Sequence, residues 1–203
     1  SSETNTTVQT GTVNTTQEQD VTITDNVYSG NGISIVITTV RLSSTNAYVA
    51  DVQLTSASSL KTAFAKNTFG NNITQTTSEM ASANGAILAV NGDYYGANKR
   101  GYVIKNGVLY RDTVRQGDDT QDLAIYADGS FAIIDETEIS AQELLESGVV
   151  QLFAFGPALI ENGGVQGSAS DEVSRAKADN ARTAIGIIVD LHYIIVVSDG
   201  RTD

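Results

Sequence analysis

The stretch RTAIGIIVDLHYIIVVSDGR, residues 182–201, decides how this chain is read. Its two halves, TAIGIIVD (183–190) and LHYIIVVSD (191–199), are dense in β-branched residues and read as strands. The second is almost wholly apolar, the pattern of a central strand. If VDLH turns the chain back as an antiparallel hairpin, the start of the first strand lies beside the end of the second. Arg182 and Arg201 then approach each other at one edge of the sheet. Two converging guanidiniums make a clamp for phosphate or carboxylate, because each offers paired N–H donors. Asp199 is placed to pair with either arginine, so a structural salt bridge is the competing reading. Two like charges sharing one acid are costly without an anion, and anion binding is the expectation.

Outward from this stretch the chain is β-rich. GISIVITTVRL (32–42) and AYVADVQL (47–54), separated by the turn signal SSTN, read as paired strands. Asn106-Gly107 within GYVIKNGVLYR and Asp128-Gly129 within LAIYADGSFAII predict two tight type I′ hairpins. VVQLFAFGPALIENGGV (149–165) reads as strand, turn at Gly156-Pro157, strand, and turn at Asn162-Gly163. Capping boxes at Thr76-x-x-Glu79 and Ser140-x-x-Glu143 predict two short helices, and SSLKTAFAK (58–66) predicts a third. GSASDEVSRAKADN (167–180) reads as a mobile polar loop. The expected class is α+β, a mixed and mostly antiparallel β-sheet core with a few short helices packed on it.

The chain has 203 residues and a net charge of −12, from 24 acidic and 12 basic residues. That balance argues against nucleic acid or an anionic lipid surface as a general partner, since both reward clustered Lys and Arg. The absence of cysteine excludes disulfides, thiolate metal sites and a cysteine nucleophile. No apolar run approaches the roughly 18 residues that span a bilayer, so no direct membrane insertion is expected of this segment. Residues 1–20, SSETNTTVQTGTVNTTQEQD, read as a disordered or extended Ser/Thr-rich linker preceding a domain at 21–203. Such a stalk follows an anchor or signal segment, and the expectation is an extracytoplasmic protein, secreted or held at the cell surface.

A second cluster lies in AVNGDYYG (89–96), where an apolar run, AILAV (86–90), reads as a buried strand emerging at Asn91. Asn91, Gly92 and Asp93 pair an amide with a carboxylate, and the glycine allows close approach of a ligand. Tyr94 and Tyr95 are able to stack on a sugar face. A plain turn followed by core aromatics is the competing reading. His192 is the sole histidine, which leaves it a surface role. GDDTQD, with Asp118, Asp119 and Asp122, lacks the alternation of a calcium loop and reads as a solvated acidic loop; no metal site is expected. P-loop, dinucleotide-binding, Gly-x-Ser-x-Gly and HExxH patterns are absent, and no cofactor is implied.

AVNGDYYG, GYVIKNGVLYRD, DGSFAI, FGPALIENG, ARTAIGI and YIIVVSDGRTD occur in an order and spacing that resemble the phosphodiester glycosidase family, over roughly residues 45–203. The resemblance implies hydrolysis of the bond between an anomeric carbon, typically of N-acetylglucosamine, and a phosphodiester. Asn91, Gly92 and Asp93 match the family's Asn-Gly-x-(Tyr/Phe), with Tyr94 at its aromatic place. Gly156 and Pro157 match its Gly-Pro, and Arg182 and Thr183 its Pro-Arg-Thr with Ala181 replacing proline. Asp199, Gly200 and Arg201 match its Asp-Gly-Arg. Arg182 and Arg201 would neutralise phosphate, and Asp93 or Asp199 would stabilise an oxocarbenium-like centre or activate water. Asn91, Gly92, Tyr94, Gly156, Thr183 and Gly200 would contact a phosphorylated carbohydrate. The family continues past Asp-Gly-Arg with a helix and Asn-Leu-Asp-Gly-Gly-Gly-Ser, which this sequence lacks. The domain is therefore expected to be incomplete at its C-terminal side, with an open sheet edge for a missing segment or another chain. A non-catalytic module that binds anionic glycans is the alternative function.

Overall fold

The computed structural model describes residues 21–42, 45–117, 120–154, 156–166 and 180–200. Its strands in chain order are β1 (Thr22–Ile23), β2 (Val27–Gly30), β3 (Ile33–Leu42), β4 (Thr45–Leu54), β5 (Val103–Lys105), β6 (Val108–Arg111) and β7 (Gln121–Tyr126). They continue with β8 (Phe131–Asp135), β9 (Val149–Phe153), β10 (Ile160–Glu161), β11 (Gly164–Val165), β12 (Arg182–Val189) and β13 (His192–Ser198). Two helices, α1 (Thr77–Ala83) and α2 (Ala141–Glu146), are short. The class is α+β, and every described strand pairing is antiparallel.

The largest sheet has the order β1-β2-β3-β4-β13-β12. The nearly all-apolar β13 is interior, with ladders to β4 on one side and β12 on the other. Ile35, Ala50, Val52, Tyr193 and Ile195 are buried together on one face. Leu60, Leu88 and Val90 from outside the sheet pack against them. A second core gathers Tyr102, Ile104, Ala124, Leu144, Val149 and Leu152 from the β5–β6 hairpin, the β8-β7-β9 sheet and α2. Burying each Val, Leu or Ile side chain among them contributes roughly 1.5–3 kcal/mol relative to leaving it in water.

The two cores meet at the β7–β8 turn. Tyr193 donates its hydroxyl to the Gly129 carbonyl at 2.8 Å, and its ring stacks on Phe131 at 5.3 Å. Gly129 has φ +92°, and a Cβ there would lie 2.5 Å from the Tyr193 hydroxyl. Only glycine suits that backbone in that space.

Local chemistry explains most elements. Both capping boxes form: Thr76 and Glu79 close the first turn of α1, and Ser140 and Glu143 that of α2. Asn106 and Gly107 take φ +52° and +75°, as a type I′ turn requires. The Asp128-Gly129 turn differs from expectation, since among these two only Gly129 has positive φ. Asp128 instead accepts from the Ser130 N–H and hydroxyl, and the Gly129 N–H reaches the Tyr126 carbonyl, giving a longer loop with glycine in the left-handed position.

Two expectations are corrected. Residues 58–66 form no α-helix; two single 3₁₀ turns, Ala57–Ser59 and Ala65–Asn67, stand there instead. Asn106 takes both the N–H and the carbonyl of Thr62, so the backbone groups a helix would use are bonded to the β5–β6 hairpin. AILAV (86–90) is not a strand of any described sheet. It keeps the alternation, with Leu88 and Val90 against the large sheet's core and Ile87 47 % exposed, but has no ladder. The linker 1–20 and nearly all of the polar loop 167–180 lie outside the described residues. Among the described residues no helix is long and apolar enough to cross a membrane.

Candidate functional site

The β12–β13 hairpin delivers what its sequence predicts. Arg182 is in register with Ser198 and Thr183 with Val197, so the start of β12 and the end of β13 share one end of the sheet. The Arg182 N–H donates to Ser198 Oγ at 3.1 Å, and Arg182 Nη1 to the Ala181 carbonyl at 3.2 Å. Beyond β13 the chain is tied to the start of β4. Asp199 Oδ1 accepts from the Asn46 N–H at 2.9 Å and Oδ2 from Asn46 Nδ2 at 2.8 Å. Thr45 Oγ1 donates to the Gly200 carbonyl at 3.1 Å. Gly200 has φ +72°, and a Cβ on it would lie 2.3 Å from the Ala181 nitrogen. Position 200 is therefore packed on the residue preceding Arg182, a contact that any side chain would break. Arg201 lies outside the described residues.

The same end of the sheet receives the Asn91 loop. Thr183 Oγ1 donates to Asn91 Oδ1 at 2.5 Å, joining two positions 92 residues apart. Asn91 and Gly92 are exposed, and Tyr94 is 48 % exposed. A Cβ at Gly92 would meet the Phe153 ring at 3.5 Å, an ordinary contact, so packing does not by itself demand glycine there. Gly156 follows β9 and is joined to Pro157 by a cis peptide bond.

Asp93 goes the other way. Its side chain is 3 % exposed, and Oδ2 accepts from Lys105 Nζ and from the Ala154 N–H, both at 3.1 Å. Lys105, at the end of β5, is 5 % exposed. Its ammonium also donates to the Leu152 carbonyl at 2.8 Å and stands 4.0 Å from the centroid of the Phe153 ring. Burial pushes the Lys105 ammonium below its ordinary pKa, and the neighbouring Asp93 opposes that shift.

The structure thus brings Asn91, Thr183, Arg182, Asp199 and Gly200 to one end of the large sheet. Asp93 it turns inward toward the second core. Sequence reasoning missed Lys105, the residue before the Asn106-Gly107 turn. It also missed Arg111 and Phe64. Arg111 fastens the segment after Asp93, donating to the carbonyls of Gly101 at 2.5 Å, Asn98 at 2.8 Å and Tyr95 at 3.2 Å. Phe64 packs edge-on against Phe69, Tyr95 and Tyr110, so Tyr95 belongs to an aromatic cluster that seats this loop.

Two further expectations are settled by burial. Asp118 and Asp119 lie outside the described residues, but Asp122 is not solvated: it is 1 % exposed and ion-paired with Arg115. Burial pushes its carboxyl up to about 8, against the pull of Arg115. His192 faces Asp51, Nε2 to Oδ1 at 2.9 Å, at the opposite end of β13 from Ser198. Among the described residues no group of three or more His, Cys, Asp and Glu gathers closely enough to hold a metal ion.

The family model of the phosphodiester glycosidases matches residues 84–203, the stretch that holds the Asn-Gly loop, the Arg-Thr strand start and the Asp-Gly turn. The chain belongs to that family, whose name denotes a glycosidase-type hydrolase. It is also similar to the SPbeta prophage-derived uncharacterized protein YomE of Bacillus subtilis (strain 168), at 26 % identity over 196 residues. That match covers 94 % of this chain and 29 % of the relative, so the chain spans less than a third of the relative's length.

Proposed function

We propose that the chain serves the hydrolysis of a sugar-1-phosphodiester, with N-acetylglucosamine as the sugar, in a cell-surface or exported glycopolymer, and that it works outside the cytoplasm. One observation carries this beyond the family: the Thr183–Asn91 hydrogen bond, which closes two separate motifs into one polar corner beside Arg182 and Asp199. In the reaction, water attacks the anomeric carbon and the bond from that carbon to the phosphate oxygen breaks. A phosphate monoester leaves with the electron pair. Such a leaving group needs its charge neutralised more than it needs a strong acid, and Arg182, with Arg201, supplies that.

Of the two candidate carboxylates, Asp199 is the exposed one. Each of its oxygens holds one donor of Asn46 and keeps further acceptor capacity. We assign it the oxocarbenium-like centre or the attacking water. Asn91 and Thr183 hold sugar hydroxyls, Tyr94 offers a ring face, Gly92 and Gly156 leave room for backbone approach, and Gly200 serves by packing the Asp199 turn on Ala181. Among the described residues β12 has β13 as its sole ladder neighbour, so it is the edge where a further strand, from a C-terminal segment or another chain, would pair.

The test is release of free N-acetylglucosamine from its 1-phosphodiester. Wild type is expected to release it, and Arg182→Ala or Arg201→Ala to lower the rate by on the order of 10²–10³. Tight binding of the phosphodiester with no turnover would assign the chain to the anionic-glycan-binding alternative instead.

A further inference from the structure

We propose that Lys105 is a positioning residue, which holds the Asn91–Gly92 substrate loop in place by clamping Asp93 from below. This rests on reading the Asn91–Thr183 corner as the substrate site.

The connection is continuous. Lys105 Nζ and the Ala154 N–H converge on one oxygen of Asp93, so that single atom joins β5, the end of β9 and the loop. The lysine is itself fixed by the Leu152 carbonyl and by the Phe153 ring. Gly92 lies against the same ring. One residue further back, Asn91 meets Thr183. AILAV (86–90) has no sheet ladder to place this loop. Residues 91–93 are held by the Thr183 contact at one end and by the Asp93 carboxylate, shared by Lys105 and the Ala154 N–H, at the other, with Leu88 and Val90 packed on the core before them and Arg111 fastening the segment after.

Stability alone is a poor reason for such a pair. Desolvating an ammonium and a carboxylate costs several kcal/mol per ion, and a well-packed apolar pair of similar volume often does as well or better. What an ion pair adds is direction: Lys105 and the Ala154 N–H accept only one placement of the Asp93 carboxylate. That selects one conformation of the two residues before it. An error of about 1 Å at reacting groups costs on the order of 10²-fold in rate, so a clamp at this distance matters to turnover.

The experiment compares wild type, Lys105→Met and the double variant Asp93→Asn/Lys105→Met, by steady-state kinetics on the N-acetylglucosamine 1-phosphodiester and by amide hydrogen exchange. Lys105→Met is expected to lower kcat by on the order of 10²-fold, with KM within about threefold, because the loop is misplaced rather than removed. Its amides at 91–93 exchange at least about tenfold faster, while those of β3 and β4 keep their protection. The double variant removes the uncompensated carboxylate and regains part of both the protection and the rate. Lys105→Met with wild-type kcat and wild-type exchange at 91–93 overturns the proposal, as does a double variant no better than the single. If Lys105→Met does not fold, the double variant is compared with Asp93→Asn alone, and equal kcat and exchange in those two overturns it. A wild type that releases no sugar sinks the proposed reaction alone, and the clamp then stands or falls on the exchange at 91–93.

Discussion

Asp93 and Asp199 sit in matching family motifs, yet the structure treats them in opposite ways. Asp199 is exposed, and its two oxygens each take one N–H of Asn46, neutral donors at the surface. Asp93 is enclosed, and one of its oxygens takes a buried ammonium and a backbone N–H. The first arrangement leaves a carboxylate facing solvent. The second cancels a charge inside the protein and turns it into a fixed joint. Equal motif status thus conceals two environments, which under the proposed reaction become contact with the substrate for Asp199 and support of the contact residues for Asp93.

The largest expected effect separates these two by stability. Asp93→Ala strands the Lys105 ammonium in the interior and is expected to cost about 3–5 kcal/mol. Asp199→Ala removes two surface hydrogen bonds and costs about 1–2 kcal/mol while abolishing turnover in a folded protein. Urea melts of both variants beside their turnover check this; a stable, inactive Asp93→Ala with an unstable, active Asp199→Ala would reverse the assignment.

The second core also carries a pH signature of its own. Asp122, raised to about 8 by burial, binds its proton more tightly in the folded than in the unfolded protein. Its contribution to stability is full below the ordinary carboxylate range and is lost as pH rises through about 8, with a slope of at most about 1.4 kcal/mol per pH unit. Asp122→Asn keeps the acceptor for Arg115 without the ionisation, so its stability should fall less between pH 5 and about 8 than that of wild type. Thermal melts across that range measure it, and parallel profiles would refute it. The smallest effect falls on the contact between the two ends. Thr183→Val deletes the hydroxyl facing Asn91, costs about 1 kcal/mol, and should raise KM more than it lowers stability.

Much of the fold was legible because its signals are local. Asn106-Gly107 required positive φ, Thr76 and Ser140 capped helices with the glutamates three residues on, and the apolar run of β13 marked a strand with two neighbours. The hairpin itself followed from the two-residue turn at Asp190-Leu191, but a bulge between Ile187 and Val189 shifts the ladder by one, so that Arg182 faces Ser198 rather than Asp199. Signals failed where distant groups intervened. Thr62 gave up its backbone to Asn106, and AILAV alternated like a strand without finding a ladder.

The site divides in the same way. Which residue types occupy the Asn-Gly-Asp, Arg-Thr and Asp-Gly positions is a property of the sequence, and so is their chemistry. That Asn91 meets Thr183, that Asp93 faces Lys105 and that Asp122 is enclosed were decided only by the packing of the two sheets. Side-chain direction and burial depend on partners 7 to 92 residues away, and neither spacing nor composition encodes how the chain brings such partners together.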